Sequence, residues 1–120
     1  MKRSKQLVLI VWVVIAAIFM MPKGVTGDGK EQSGKDLFKM NCKVCHEKDS
    51  ANGEYTPMTL TQDQWKAFFK NKFAVKHKDV VLARENKKLL EYLTPKNIET
   101  IQKYVVDHAA DSEQPQTCSE

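Results

Sequence analysis

The sequence lacks several features that mark other classes of protein. It has no alternating apolar and polar run typical of strands, no internal repeat and no low-complexity block, so we predict an all-α fold beyond the N-terminal segment. It also has no spacing of acids and histidines that suggests a paired general acid and base, so we do not expect an enzyme. A chain of 120 residues suggests one domain.

Acidic residues are absent from the first 27 positions, which carry basic residues near the start and an apolar run from Leu7 to Met21. This layout, with small residues up to Gly27, is typical of a secretory signal peptide. The run has 15 residues, fewer than the about 20 that a helix needs to span a bilayer. We therefore predict a signal peptide over 1–27 and a periplasmic protein. Because the small-x-Ala cleavage form is missing, an uncleaved membrane anchor is the alternative.

Excess charge is also lacking once that segment is set aside. Four of the 19 basic residues lie within 1–27, whereas all 15 acidic residues lie beyond it, so the rest of the chain is close to neutral. The basic character of the whole sequence therefore gives no reason to expect a nucleic-acid partner.

The remaining chain divides into three parts by composition. Residues 28–32 are predicted to form a flexible lead-in, 33–110 the folded domain, and 111–120 a disordered polar tail. Within the domain, the polar segment 47–59 is predicted to be a loop, and a short helix is predicted around 81–92.

Three helix starts are visible in the domain. Ser33, Thr61 and Thr94 each provide the hydroxyl of an N-cap, and Gln64 completes a capping box with Thr61. Pro95 stands at the first helical position after Thr94, where proline is favoured. We expect helices to begin after all three caps, the first running into the cysteines and the last ending near residue 108.

The most specific pattern in the chain is Cys42-Lys43-Val44-Cys45-His46. Two thiols three residues apart on a helical turn can both reach the vinyl groups along one edge of a porphyrin. The adjacent His46 then lies below the iron and supplies its proximal nitrogen. This C-x-x-C-H spacing is typical of covalent c-type haem attachment.

Other uses of the cysteines fit the sequence less well. A zinc site needs further ligands, and the remaining candidates, His77, His108 and Cys118, are single and irregularly spaced. A thioredoxin-like pair would follow a strand, and no strand is predicted. Cys118 is left without a partner in the polar tail, as a free thiol or an intermolecular disulfide.

Two segments, 33–46 and 94–108, resemble the class I c-type cytochromes. That family has a glycine and an aromatic residue eight and four positions before the first haem cysteine, and Gly34 and Phe38 stand at those positions before Cys42. The resemblance implies one haem c per chain in a small helical domain.

The resemblance also implies that the first and last helices of the domain cross. In the family a small residue allows the two helices to approach closely and an aromatic residue packs beside it. Gly34 meeting Tyr104 or Ile101 would satisfy that arrangement.

The resemblance further implies a proline whose carbonyl accepts the Nδ1–H of the proximal histidine, and Pro57 is the candidate for this contact with His46. The methionine that usually binds the distal face is missing from its expected position. His77 is the preferred replacement, with Met58 as the alternative and an open sixth position as a third possibility.

These features together predict an electron carrier that cycles between Fe(II) and Fe(III). The alternative is a haem protein with an open or weakly held sixth position that binds or senses a small ligand. Residues 66–88 contain eight basic residues against Asp79 and Glu85, so we expect an acidic redox partner to dock near Lys66–Lys88.

Overall fold

The computed structural model of the chain describes residues 31–117. Helices are the main regular structure of these residues, and two short strands form the rest of it. The predicted signal peptide over 1–27 and Cys118 lie outside the described residues. The elements in chain order are α1 (Gly34–Asn41), a 3₁₀ turn (Pro57–Thr59), α2 (Gln62–Asn71), α3 (Phe73–His77), β1 (Val81–Leu82), β2 (Lys87–Lys88), α4 (Leu89–Tyr92) and α5 (Pro95–Asp107).

The three predicted caps are confirmed. The Ser33 hydroxyl accepts a hydrogen bond from the backbone N–H of Asp36, and α1 follows. Thr61 and Gln64 exchange the two hydrogen bonds of a capping box before α2. Thr94 caps α5, which has a proline in its first turn. Each hydroxyl satisfies a backbone N–H that the helix itself leaves unpaired.

The helix predicted around 81–92 is wrong over its first half. Val81 pairs with Lys88 and Leu82 with Lys87 in an antiparallel hairpin, and α4 begins only at Leu89. Asn86 in the connecting turn has a φ of 49°, a left-handed conformation that asparagine tolerates better than most residues. A turn of this kind interrupts a helix, so the fold is mostly helical and not all-α.

Helices α1 and α5 pack closely at Gly34. A Cβ atom at this position would lie 2.6 Å from Cβ of Tyr104 and 2.7 Å from the carbonyl oxygen of Thr100. The ring centres of Phe38 and Tyr104 are 5.8 Å apart one turn further on. Only glycine allows the two backbones this separation.

The core lies between these two helices and α2. Ile101, Val105 and Ala109 are almost fully buried, and Leu37 and Trp65 pack in the same cluster. The apolar residues of α5 recur at helical spacing, so one face of that helix supplies most of the core contacts.

Residues 111–117 of the tail predicted to be disordered over 111–120 are described, and they make several hydrogen bonds to the domain. The Asp111 carboxylate accepts from the backbone N–H of Gln62, at 2.7 Å, at the start of α2. The Gln116 N–H donates to the carbonyl of His108, whose ring Nδ1 lies 2.8 Å from the Gln114 carbonyl oxygen. Polar composition suggested disorder, but these backbone contacts hold the segment against the ends of two helices.

Within residues 31–117, none of the helices combines the length and the apolar character that crossing a bilayer requires. The apolar run from Leu7 to Met21 falls outside this part of the chain.

Candidate functional site

A cavity of about 390 Å³ opens between α1, the cysteine turn, α2 and α3. Its volume falls in the range of about 300–1,000 Å³ that is usual for cofactor sites. Cys42, Cys45, His46 and His77 all line it, so the structure brings together four of the residues singled out in the sequence. The apolar part of the wall is formed by Phe38, Trp65, Phe68, Phe69, Phe73, Val80 and Leu89.

One side of the cavity is the attachment segment, residues 42–56, which follows directly from α1. Cys42 ends the helix and donates its N–H to the carbonyl of Phe38. The N–H groups of Cys45 and His46 then bond back to the carbonyl of Cys42 at 3.2 and 3.1 Å. This tight turn directs both thiols and the imidazole toward the same cavity.

His46 is oriented by the loop that follows it. Its Nδ1 lies 3.0 Å from the carbonyl oxygen of Gly53, so Nδ1 carries the proton because a carbonyl can only accept. Nε2 is then the nitrogen with a free lone pair, which is the form that binds a metal. The Tyr55 ring packs edge-on against the imidazole, with ring centres 4.9 Å apart.

The hydrogen bond expected between His46 and Pro57 is not the one formed. The Pro57 carbonyl accepts from the indole N–H of Trp65 at 2.8 Å, and Gly53 takes the contact with His46. Gly53 has a φ of 80°, which turns its carbonyl back toward the imidazole. The pair Asn52-Gly53 is a turn signal that would have pointed to this residue.

The opposite side of the cavity is the distal segment, residues 73–93, which carries His77 at the end of α3. The Nδ1 of His77 lies 2.8 Å from the Phe73 carbonyl, so this imidazole also has Nε2 free. Its ring packs against the Phe73 ring at a centre-to-centre distance of 4.8 Å. The ring centres of His46 and His77 are 6.2 Å apart with planes at 70°.

Met58 does not share this cavity wall. It lies in the 3₁₀ turn, is 42% exposed, and is not among the residues that line the cavity. Of the two candidates for the second axial position, the structure brings only His77 opposite His46.

The donor set suits a metal that is already held by another group. Among residues 31–117, no three His, Cys, Asp or Glu side chains come close enough to hold a metal ion by themselves. His46 and His77 could supply two imidazole ligands, and a group such as a porphyrin would have to supply the others.

Burial affects the chemistry of the first cysteine. Removal from water, with a smaller contribution from the neighbouring Cys45, raises the pKa of Cys42 from 9.0 to about 12. A thiol that acts in redox exchange needs a lowered pKa, because the thiolate is the nucleophile. This environment argues against a thioredoxin-like pair.

Besides Gly53, sequence reasoning missed Asn41 and its partner Arg84. Asn41 is 4% exposed and lines the cavity beside Cys42, and Arg84 reaches it from the hairpin. The contact joins positions 43 residues apart, so no local pattern reveals it.

Comparison with known proteins adds no family assignment. The chain matches no established protein family, no curated protein and no solved structure.

Proposed function

We propose that the chain is a periplasmic monohaem c-type cytochrome that transfers single electrons between redox partners. Cys42 and Cys45 would hold haem c through thioether bonds, and His46 and His77 would bind its iron from opposite faces. The haem, when bound, supplies a one-electron Fe(II)/Fe(III) couple. The protein binds it, orients the imidazoles and keeps water away.

The separation of the two histidines carries the proposal. Two imidazoles on opposite sides of one metal ion, each with a nitrogen about 2 Å from it, have ring centres about 6 Å apart. The observed 6.2 Å between His46 and His77 agrees with this spacing. Both rings have Nδ1 against a backbone carbonyl, the contact that commonly fixes a histidine ligand and leaves Nε2 for the metal.

The cavity wall fits a haem in polarity as well as in donors. Aromatic and aliphatic side chains make up most of it and lie alongside both imidazoles. Lys76 is the lining residue with a permanent charge, and its sign suits the carboxylates that haem carries. The predicted signal peptide over 1–27 supports attachment after export, and the resemblance to class I cytochromes over 33–46 supports the thioether assignment.

The basic residues of 66–88 support docking of an acidic redox partner. Three of the lysines are paired with acids in their own neighbourhood, Lys66 with Asp63 and Lys78 and Lys88 with Asp79. Of the lysines within 66–88, Lys70, Lys72, Lys76 and Lys87 are exposed and form no ion pair with any residue of 31–117. These leave a net positive surface near the cavity that would speed association at low salt.

Comparison of His77→Ala with Met58→Ala tests the proposal in protein matured with covalent haem. We expect reduced His77→Ala to bind carbon monoxide rapidly and stoichiometrically, because its sixth position is open. Met58→Ala should react as slowly as the wild type, and the oxidised wild type should lack the red absorption band of iron–methionine coordination.

Three results would contradict the proposal in different ways. Absence of covalent haem from the wild type would remove the cofactor assignment. Rapid carbon monoxide binding in Met58→Ala alone would move the distal ligand to Met58. Rapid binding by the wild type itself would favour the alternative function of binding or sensing a small ligand.

A further inference from the structure

We infer that Arg84 is a positioning residue that ties the distal segment to the attachment segment and thereby determines how firmly His77 is held at the metal. This inference rests on the proposed function. Arg84 does not line the cavity and acts through the residues that it joins.

Arg84 makes contacts with every part of its guanidinium group. Nη1 donates to the carbonyl of Met40 at 3.3 Å, and Nη2 donates to the side-chain oxygen of Asn41 at 3.2 Å. Nε donates to Glu85 at 2.8 Å, and the group lies 5.9 Å from the ring centre of Tyr92. The rigid fork of an arginine suits several simultaneous acceptors, whereas a lysine satisfies fewer.

The acceptors on α1 stand immediately before the cysteines. Met40 provides one of the last carbonyls of the helix, which have no partner within it. Asn41 is buried, lines the cavity and donates its own amide to the Leu37 carbonyl at 2.8 Å. With Arg84 on its oxygen, the amide has partners at both ends. Its position beside Cys42 is therefore fixed.

Arg84 itself belongs to the segment that carries His77. The N–H of Val80 donates to the carbonyl of His77 at 3.2 Å, and Leu89 donates to Val80 at 2.8 Å, so the hairpin is bonded to the end of α3. Leu82 is buried in the core beside the turn that holds Arg84. A change at Arg84 can thus reach His77 through a short hydrogen-bonded stretch.

The test measures carbon monoxide binding to the reduced haem protein, where the observed rate follows release of His77. Arg84→Met keeps the apolar stem and removes the donors, and we expect binding about ten-fold faster than in the wild type, in line with the loss of charge-assisted hydrogen bonds. The binding rate of Arg84→Lys should fall between those of the wild type and Arg84→Met. Ala83→Ser, an exposed change in the same hairpin, is the matched control and should leave the rate unchanged.

A double variant separates positioning from general stability. If Arg84 acts through Asn41, combining Arg84→Met with Asn41→Leu should raise the rate no further than the larger single effect. A rate equal to that of the wild type in Arg84→Met, with only a lower unfolding midpoint, would overturn the inference and leave the haem assignment intact. A slow rate in His77→Ala would instead overturn the proposed function on which it rests.

Discussion

The attachment segment and the distal segment line the same cavity but are held in place by different kinds of contact. From Cys42 to Thr56 every side chain keeps at least partial exposure, with Cys42 packed against the core, and the backbone is held by turn hydrogen bonds. The distal segment contributes Phe73, Leu82, Leu89 and Leu93 to the core, and the His77 ring packs against Phe73. One side depends on local chain geometry and the other on tertiary packing.

This difference bears on how a covalent cofactor is held. In the proposed cytochrome, thioether bonds fix the attachment segment to the haem, so that side needs few buried residues of its own. His77 has no covalent link and depends on the packing of Phe73 and the hairpin. The distal contact should accordingly be the more easily lost of the two.

The largest expected effect comes from replacing the two cysteines of the attachment segment. In the double variant Cys42→Ser and Cys45→Ser, no thioether can form, and we expect complete loss of haem staining after denaturing electrophoresis. Cys118→Ser is the matched control and should keep the stain at the wild-type level. A stained band in the double variant would show that attachment does not use these two thiols.

A smaller effect is expected from weakening the core packing of the distal segment. Phe73 is 7% exposed and its ring and carbonyl both contact His77, and truncation of a buried phenylalanine to alanine costs about 3–5 kcal/mol. We expect Phe73→Ala to lower the free energy of unfolding by that amount, measured with guanidinium, and to increase the fraction of high-spin haem.

The same helix provides the control for that variant. Val75 is 69% exposed, so Val75→Ala should leave both the free energy of unfolding and the haem spectrum close to the wild type. Equal effects of the two substitutions would mean that the distal histidine does not depend on core packing.

The sequence predictions were likewise correct where a feature depends on local chain geometry and wrong where it depends on tertiary contacts. The caps at Ser33, Thr61 and Thr94 were correct because an N-cap is a contact over three residues, and such contacts are visible in the sequence. The hairpin at Val81–Lys88 was missed because strands of two residues leave no periodic pattern. The contact between Asp111 and the start of α2 joins positions 49 residues apart, so no local pattern could show it.

The candidate site shows the same limit. The spacing of Cys42, Cys45 and His46 matches what attachment to a porphyrin edge requires, so the motif could be recognised without a structure. His77 was preferred over Met58 from its place in the sequence, and the distance between its ring and that of His46, 31 positions away, is support that only the structure supplies. The partner of His46 was assigned to Pro57 on resemblance, whereas the turn at Gly53 provides the nearer carbonyl.

The smallest expected effect tests the contact between His46 and the Gly53 carbonyl in the attachment segment. Gly53 has a φ of 80°, in the left-handed region, and a Cβ added there would meet only the Tyr55 ring at an ordinary 3.5 Å. Gly53→Ala therefore adds backbone strain without a collision, at a cost of about 1–2 kcal/mol.

We expect Gly53→Ala to lower the free energy of unfolding by this amount while the haem stays low-spin, because the thioether bonds beside His46 hold the imidazole near the iron even when its Nδ1 contact weakens. Ala51→Ser, an exposed change in the same loop, is the control. A high-spin spectrum in Gly53→Ala comparable to that of Phe73→Ala would show that the attachment segment also depends on its hydrogen bond to Gly53. The contrast between the two sides of the cavity would then be one of burial alone, with both histidines equally dependent on the carbonyl that orients them.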